Sequence, residues 1–200
     1  MTDVSVLIPA YNAEKYIARC IRSVIENVSS FKFEIVVVDD GSTDSTYEIC
    51  KNFGSLINLD KNNKNFGISQ TLNSAIVNSK GRFIVRVDAD DFVNKHYIEA
   101  LTVFLELNED VHAVRCDYLK VNDNENVICR SSQIKDPIGC GIMFRRPILN
   151  DLNGYDPAKR LNEEKCLLNR FNLAGFIMAD LHIPLYRYRD TPRSLSKSGY

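Results

Sequence analysis

Apolar residues fall along this chain in two rhythms. Short continuous runs at 4–8, 34–39, 56–59 and 82–87 predict strands. Between the first two, Ile17, Ile21, Val24, Ile25 and Val28 recur mostly at three- and four-residue steps, while Glu14, Lys15, Arg19, Arg22 and Glu26 take the opposite face. That spacing predicts an amphipathic helix. A second helix is expected after Asp44. A third carries Ile68, Leu72, Ala75 and Ile76 and stops near Gly81, and a fourth begins around Asn94 with Tyr97, Ile98, Leu101 and Leu105 on one side. Strands alternating with helices predict an α/β fold, a mostly parallel sheet flanked by helices.

After about residue 110 the rhythm changes. Runs at 111–116, 117–121 and 126–129 read as short strands, the last two joined by the polar turn Asn122-Asp123-Asn124-Glu125. These are expected as antiparallel additions to the sheet. A helix at 163–174 and two short apolar runs at 176–179 and 183–188 follow, and the tail from Arg189 to Tyr200 is polar, suited to moving or to closing over a site. No repeat or linker divides the chain, so residues 1–200 read as one domain.

Composition narrows the classes of function. The chain has 25 basic and 26 acidic residues, a formal net charge of −1, and no basic excess that would attract nucleic acid. Its 6 cysteines contain no C-x-x-C pair and lack the density of a disulfide scaffold, which suits buried thiols in a reducing cytosol. The start shows no basic leader or cleavage site, and no window is apolar enough to span a bilayer, so a cytoplasmic protein is expected, meeting any lipid-linked partner peripherally at the membrane surface.

In an open α/β sheet, ligands bind beyond the carboxyl ends of the strands. Three polar loops are expected there: Pro9-Ala10-Tyr11-Asn12, Asp39-Asp40-Gly41-Ser42-Thr43-Asp44 and Asp88-Ala89-Asp90-Asp91. Pro9 and Asn12 are also explained by ending a strand and capping a helix, and Ser42 to Asp44 by capping the next. The third loop crowds carboxylates that repel one another unless a cation or hydrogen-bond donors offset them. If the extended geometry persists, Asp88 and Asp90 lie on one side and suit a hard divalent cation such as Mn²⁺ or Mg²⁺. The competing reading is a solvated acidic turn before a helix.

Pro9-Ala10-Tyr11-Asn12-Ala13-Glu14, Val38-Asp39-Asp40-Gly41-Ser42-Thr43-Asp44 and Val87-Asp88-Ala89-Asp90-Asp91, in this order, resemble the signature of family 2 glycosyltransferases. The likeness continues through Asn65-Phe66-Gly67-Ile68-Ser69, Asn73, Gly154-Tyr155-Asp156, Glu163-Glu164 and Pro184-Leu185-Tyr186-Arg187-Tyr188-Arg189. It implies the GT-A fold, with a nucleotide-sugar half at 1–110 and an acceptor half at 111–200. It also implies inverting transfer of a sugar from a nucleoside diphosphate, most often uridine, to a saccharide or lipid-linked hydroxyl in surface-glycan assembly. Pro9, Ala10, Tyr11, Asn12 and Glu14 would then wrap the nucleotide, Asp40 would bind the base, and Gly67 would border the pocket. Asp90 would be the direct metal ligand, with Asp88 nearer the ribose or a metal-bound water. Asp91 would support the loop or meet the donor sugar, beside Gly141 of the small-residue stretch Gly139-Cys140-Gly141.

The same resemblance puts the catalytic base at the second residue of an acidic pair opening a helix, here Glu164, with Glu163 as the alternative. Two glutamates in a first helical turn also simply stabilise it through the helix dipole. The chain departs from the pattern in having Glu rather than Asp at 164, Leu72 where an arginine is common, and Asp190 near where relatives carry a metal-holding histidine. Asp190 offers an oxygen ligand, or marks a surface turn before Pro192. His96, His112 and His182 lack metal-ligand spacing. Competing functions are a non-catalytic nucleotide-sugar-binding subunit and a nucleotidyltransferase, although the latter normally opens on a glycine-rich basic loop.

Overall fold

The structure, a computed structural model, describes residues 1–159 and 162–190. Thr191, Pro192 and the rest of the polar tail lie outside the described residues. The continuous apolar runs become β1 (Val4–Ala10), β2 (Phe33–Asp39) and β4 (Phe83–Arg86), with β3 (Asn58–Lys61) at the edge. Strand β1 pairs in parallel with both β2 and β4, and β2 with β3. The runs are apolar throughout because both faces are covered. Val4, Val6 and Ile8 pack against α1 (Ile17–Ile25) and α4 (Tyr97–Leu107), whereas Leu7 packs on the side of α3 (Ile68–Val77) and α6 (Glu163–Leu173). Strand alternation does the same in β4: Phe83 and Val85 face the first layer and Ile84 the second.

The second half departs from expectation in an instructive way. The runs at 111–116 and 117–121 are one strand, β6 (Ala113–Val121), and those at 176–179 and 183–188 are also one, β9 (Met178–Arg189). The polar residues that looked like breaks are satisfied instead. Asp117 accepts from Arg130 at 2.8 Å and meets His182 at 3.4 Å, where the register of the β6 and β9 pair shifts. The hairpin is as predicted, with β7 (Val127–Ser131) antiparallel to β6. Strand β8 (Ile142–Arg145) is antiparallel to both β4 and β6, but β9 runs parallel to β6 and antiparallel only to the two-residue β5 (Phe92–Val93). Strands β5 and β8, and α5 (Arg146–Asp151), have no counterpart in the periodicity because two to six residues show no repeat.

Among the described residues the sheet order is β3-β2-β1-β4-β8-β6-β9-β5, with β7 beside β6. Two antiparallel steps, β4 to β8 and β8 to β6, cancel, so β6 and β9 run in the same sense as β1. The carboxyl ends of β1, β2, β4, β6 and β9 therefore share one edge, and the polar loops gather there. Smaller differences have local causes. Helix α1 ends at Ile25 and leaves Val28 exposed, its N–H donating to the Lys95 carbonyl. Helix α2 (Thr46–Lys51) is short, and a 3₁₀ turn at Gly54–Leu56 moves β3 past the predicted 56–59. Among the described residues no helix is long and apolar enough to cross a membrane.

Candidate active site

The first two loops are stitched together. The Asn12 carboxamide oxygen accepts from Thr43 N at 2.9 Å, Asn12 N donates to Ser42 Oγ, and Ala13 N donates to Thr46 Oγ1. Glu14 Oε2 accepts from Ser45 N while Asp44 accepts from Glu14 N. The side chains of Asn12, Glu14 and Asp44 therefore order the loops against each other, and neither α1 nor α2 receives a side-chain hydrogen bond at its N-cap, Tyr16 and Ser45. Pro9 and Ala10 are buried in β1 and contribute backbone. Tyr11, 48% exposed, is left as the ring on this loop available to a planar ligand.

Asp40 is 3% exposed and holds a third chain segment, residues 62–67, against these loops. It accepts from Asn62 Nδ2 at 2.7 Å, Phe66 N at 3.0 Å and Gly67 N at 2.8 Å. Gly67 caps α3 at φ +94°, a conformation that explains the glycine without any ligand. Asn73 is likewise structural, exchanging two hydrogen bonds with the backbone of Tyr155. Leu72, in the place of the family's arginine, is fully buried.

The acidic run does not continue the strand. Asp91 N donates to the Asp88 carbonyl, a turn that breaks the expected alternation of Asp88 and Asp90. Asp88 and Asp90 are half-buried and Asp91 is only 2% exposed. Tyr186 Oη donates to Asp91 Oδ2 at 2.7 Å and accepts from Asp88 N, and Arg189 N donates to Asp91 Oδ1 at 2.7 Å. Asp91 thus supports the loop from behind. One ligand atom each of Asp88, Asp91 and Cys140 lie within 4.8 Å of one another, but burial pushes both the Cys140 thiol and the Asp91 carboxyl up, with the neighbouring acids adding to it. Asp190, whose N donates to the Val121 carbonyl at the end of β9, does not join this group.

Among the described residues, the carboxylates of Asp88 and Asp91 are held by Arg86, Tyr186 and Arg189, and no side chain holds that of Asp90. Burial, and then the Asp88 charge, push its pKa up to about 6. A divalent cation would offset the clustered negative charge, and the hard oxygen donors of Asp88 and Asp90 would suit Mn²⁺ or Mg²⁺. Tyr186→Phe should unpair Asp88 N and Asp91 together and cost about 1–3 kcal/mol in urea unfolding. A loss below about 0.5 kcal/mol, the scale of a neutral surface change, would show that the hydroxyl does not hold the loop.

Across the same edge, α6 opens with the two glutamates facing different surroundings. Glu163 is 5% exposed and accepts from Arg86 Nη1 at 2.8 Å. Glu164 is half-buried, and burial followed by the Glu163 charge raises its pKa. A Cβ on Gly139 would lie 3.2 Å from Glu164 Cγ and 3.3 Å from Arg86 Nη1. Gly139 is thus the small residue packed against Glu164. Gly141 is buried behind it at φ +75°, where a Cβ would meet Gln133 and the Tyr186 ring.

Comparison with known proteins identifies the family. The description Glycosyl transferase family 2 matches residues 5–153. The chain belongs to that family. Among its relatives, the glycosyltransferase GlyA of Streptococcus pneumoniae is 35% identical over 127 residues, which are 62% of this chain and 18% of GlyA. An uncharacterized glycosyltransferase of Haemophilus influenzae is 33% identical over 151 residues, 74% of this chain and 45% of that protein. The chain thus spans less than half the length of these curated relatives. In three dimensions it matches residues 1–349 of Staphylococcus aureus TarS in complex with UDP, with a TM-score of 0.80 at 24% identity over 96% of this chain and 61% of that one. The mannosyltransferase PcManGT of Pyrobaculum calidifontis, in complex with GDP-Man and Mn²⁺, gives 0.75 at 20% identity over 96% and 58%. These structural likenesses establish the GT-A fold.

Within this family 2 glycosyl transferase, Arg86 lies outside every motif quoted from the sequence, whereas Tyr186 and Arg189 lie inside the 184–189 segment, where sequence alone gives them no individual role. Arg86 had a signal: it is the cation that ends the otherwise apolar β4, two residues before Asp88. Arg189 is 2% exposed, with its Nε on the Asp90 carbonyl, its Nη1 on the carbonyls of Asn122 and Asp123, and its guanidinium over the Tyr16 ring. It joins the acidic loop to the β6–β7 turn. The histidines stand elsewhere; His112 Nδ1, for instance, accepts from Ile177 N.

Proposed function

We propose that this chain transfers a sugar, with inversion, from a UDP-sugar to an acceptor hydroxyl. The observation that carries the reading is the opposition, on one sheet edge, of the acidic run after β4 and the half-buried carboxylate of Glu164 at the start of α6, which among the described residues has no ion-pair partner. The UDP bound by TarS supports a uridine donor, and the Mn²⁺ of PcManGT supports a metal-assisted one. Asp90 with Asp88 would hold the Mn²⁺ or Mg²⁺, which when bound offsets the charge developing on the departing diphosphate. The chain does the rest. Tyr11 stacks on the base, while Asp40 orders the 62–67 loop against it and offers its remaining lone pairs. Glu164 takes the proton of the acceptor hydroxyl as the oxygen attacks the anomeric carbon from the face opposite the leaving diphosphate.

Residues 1–110 form the donor half of one transferase domain and residues 111–200 contribute to the acceptor half. The acceptor is a saccharide, free or lipid-linked, met in the cytoplasm or peripherally at the inner membrane face during surface-polysaccharide or glycolipid assembly. S. aureus TarS, 34% identical over 110 residues and described as a poly(ribitol-phosphate) β-N-acetylglucosaminyltransferase, supports this setting. The direct test is thermal unfolding with Mn²⁺ and UDP, UDP-GlcNAc or GDP-mannose. At 100 times its Kd a ligand adds about 2.7 kcal/mol, or roughly 5–10 °C at this size. A uridine nucleotide should shift the midpoint in the presence of Mn²⁺. If none of the three moves it, the donor reading fails.

A further inference from the structure

The acidic run and the base helix meet on one side chain. Arg86 has a side-chain exposure of 10% and uses three nitrogens of its guanidinium. Nε donates to Asp88 Oδ1 at 2.5 Å, Nη2 to Asp88 Oδ2 at 3.2 Å, and Nη1 to Glu163 Oε1 at 2.8 Å. Both oxygens of Asp88 are engaged, as the fixed fork of a guanidinium allows and an ammonium does not. Strand alternation turns Arg86 to the layer of α6, where the Glu163 and Glu164 turn lies against it. The contact spans 77 residues of sequence and joins the donor side of the site to the base.

We infer that Arg86 is the resident counter-cation of the donor site and a positioning residue for the base. It holds Asp88 while no divalent cation is bound and, through Glu163, ties the filling of that site to the placing of Glu164. This rests on the donor reading above and adds a coupling that it does not contain. A divalent cation approaching Asp88 meets an oxygen pair already shared with a positive group, and it must arrive against that charge. Removing the guanidinium leaves the run more negative and more attractive to a cation. It also removes the link that fixes the first turn of α6, so the base is less well placed. A residue that merely held the fold together would weaken both properties. The coupling predicts opposite signs.

The experiment compares the full chain with Arg86→Gln, Glu163→Gln, their double variant and Arg86→Lys. Affinity for Mn²⁺ alone is read from the paramagnetic resonance of the free ion, turnover from UDP release from UDP-GlcNAc at saturating Mn²⁺, and folding from thermal unfolding. Arg86→Gln should bind Mn²⁺ at least about threefold more tightly while kcat falls about tenfold or more. Arg86→Lys keeps the charge without the fork, so it should hold Mn²⁺ affinity within about twofold and still lose kcat. Because Arg86 acts on the base through Glu163, the double variant should lose no more kcat than the worse single. Unchanged or weaker Mn²⁺ binding in Arg86→Gln overturns the inference, as do wild-type kcat in Arg86→Lys or losses that multiply in the double variant. A wild-type chain that neither binds Mn²⁺ nor releases UDP overturns the functional reading and this inference with it. A wild type that does both, with variants that match it, overturns the inference alone.

Discussion

Glu164→Gln is expected to cut sugar transfer by about 10²- to 10⁴-fold, the usual contribution of a positioned general base, with UDP binding in the presence of Mn²⁺ unchanged. The amide keeps the size and polarity of the side chain and loses only the ability to take a proton. The pH dependence supplies a second signature. Burial and the Glu163 charge raise the Glu164 pKa above its ordinary 4.5, so the acid limb of kcat should lie above the range of a solvated glutamate. The sign for stability follows. With a raised folded pKa the native state holds the proton more tightly than the unfolded chain, and stability falls as pH rises from about the unfolded value through the folded one. Ionised Glu164 is therefore a cost at neutral pH, and the glutamine variant should unfold no more easily than the parent. Loss of turnover together with loss of stability would point to a structural role. If Glu163→Gln alone abolishes transfer and Glu164→Gln spares it, the base has been assigned to the wrong residue.

Asp90→Asn should remove Mn²⁺-dependent UDP binding. Losing an outer-shell partner of a metal typically costs about 10–100-fold in affinity, and losing a direct oxygen ligand should exceed that. Asp90 is favoured over its neighbours on geometry: Arg86 holds both oxygens of Asp88, and Tyr186 and Arg189 hold those of Asp91. The variant also removes a half-buried carboxylate whose pKa is pushed up to about 6, which lowers the charge repulsion within the run. Its fold should therefore survive, separating loss of binding from loss of structure. Titration calorimetry of UDP with and without Mn²⁺ is the measurement. Equal Mn²⁺-dependent binding in the parent and Asp90→Asn would take Asp90 out of the metal role.

Much of the first 110 residues could be read directly. Continuous apolar runs have one use in a chain of this kind, as strands covered on both faces, and β1, β2 and β4 followed. The loops after them were legible because each motif is contiguous. Its residues are neighbours whatever the rest of the chain does. The second half resisted the same reading. Asp117 and Asp180 broke apolar runs that are single strands, since their partners Arg130, His182 and Arg115 come from elsewhere in the chain. Strand β8 has four residues, too few to show a period, yet it turns the sheet direction so that β6 and β9 end beside β4.

Roles within the motifs divided along the same line. Asp88, Asp90 and Asp91 are indistinguishable by type. They differ because Arg86 approaches the first, no side chain among the described residues holds the carboxylate of the second, and Tyr186 encloses the third from 95 residues away. Glu163 and Glu164 are equivalent in a helix's first turn until Arg86 takes one. Gly139 and Gly141 are equally small until one faces Glu164 and the other the back of Tyr186. The amino-acid sequence by itself determined the class of fold, the family and the segments that make the site, because these depend on local pattern and adjacency. Only the tertiary structure decided which carboxylate is free and which is spent on holding the loop. That depends on hydrogen bonds closed across 77 to 98 residues, and no local pattern encodes them.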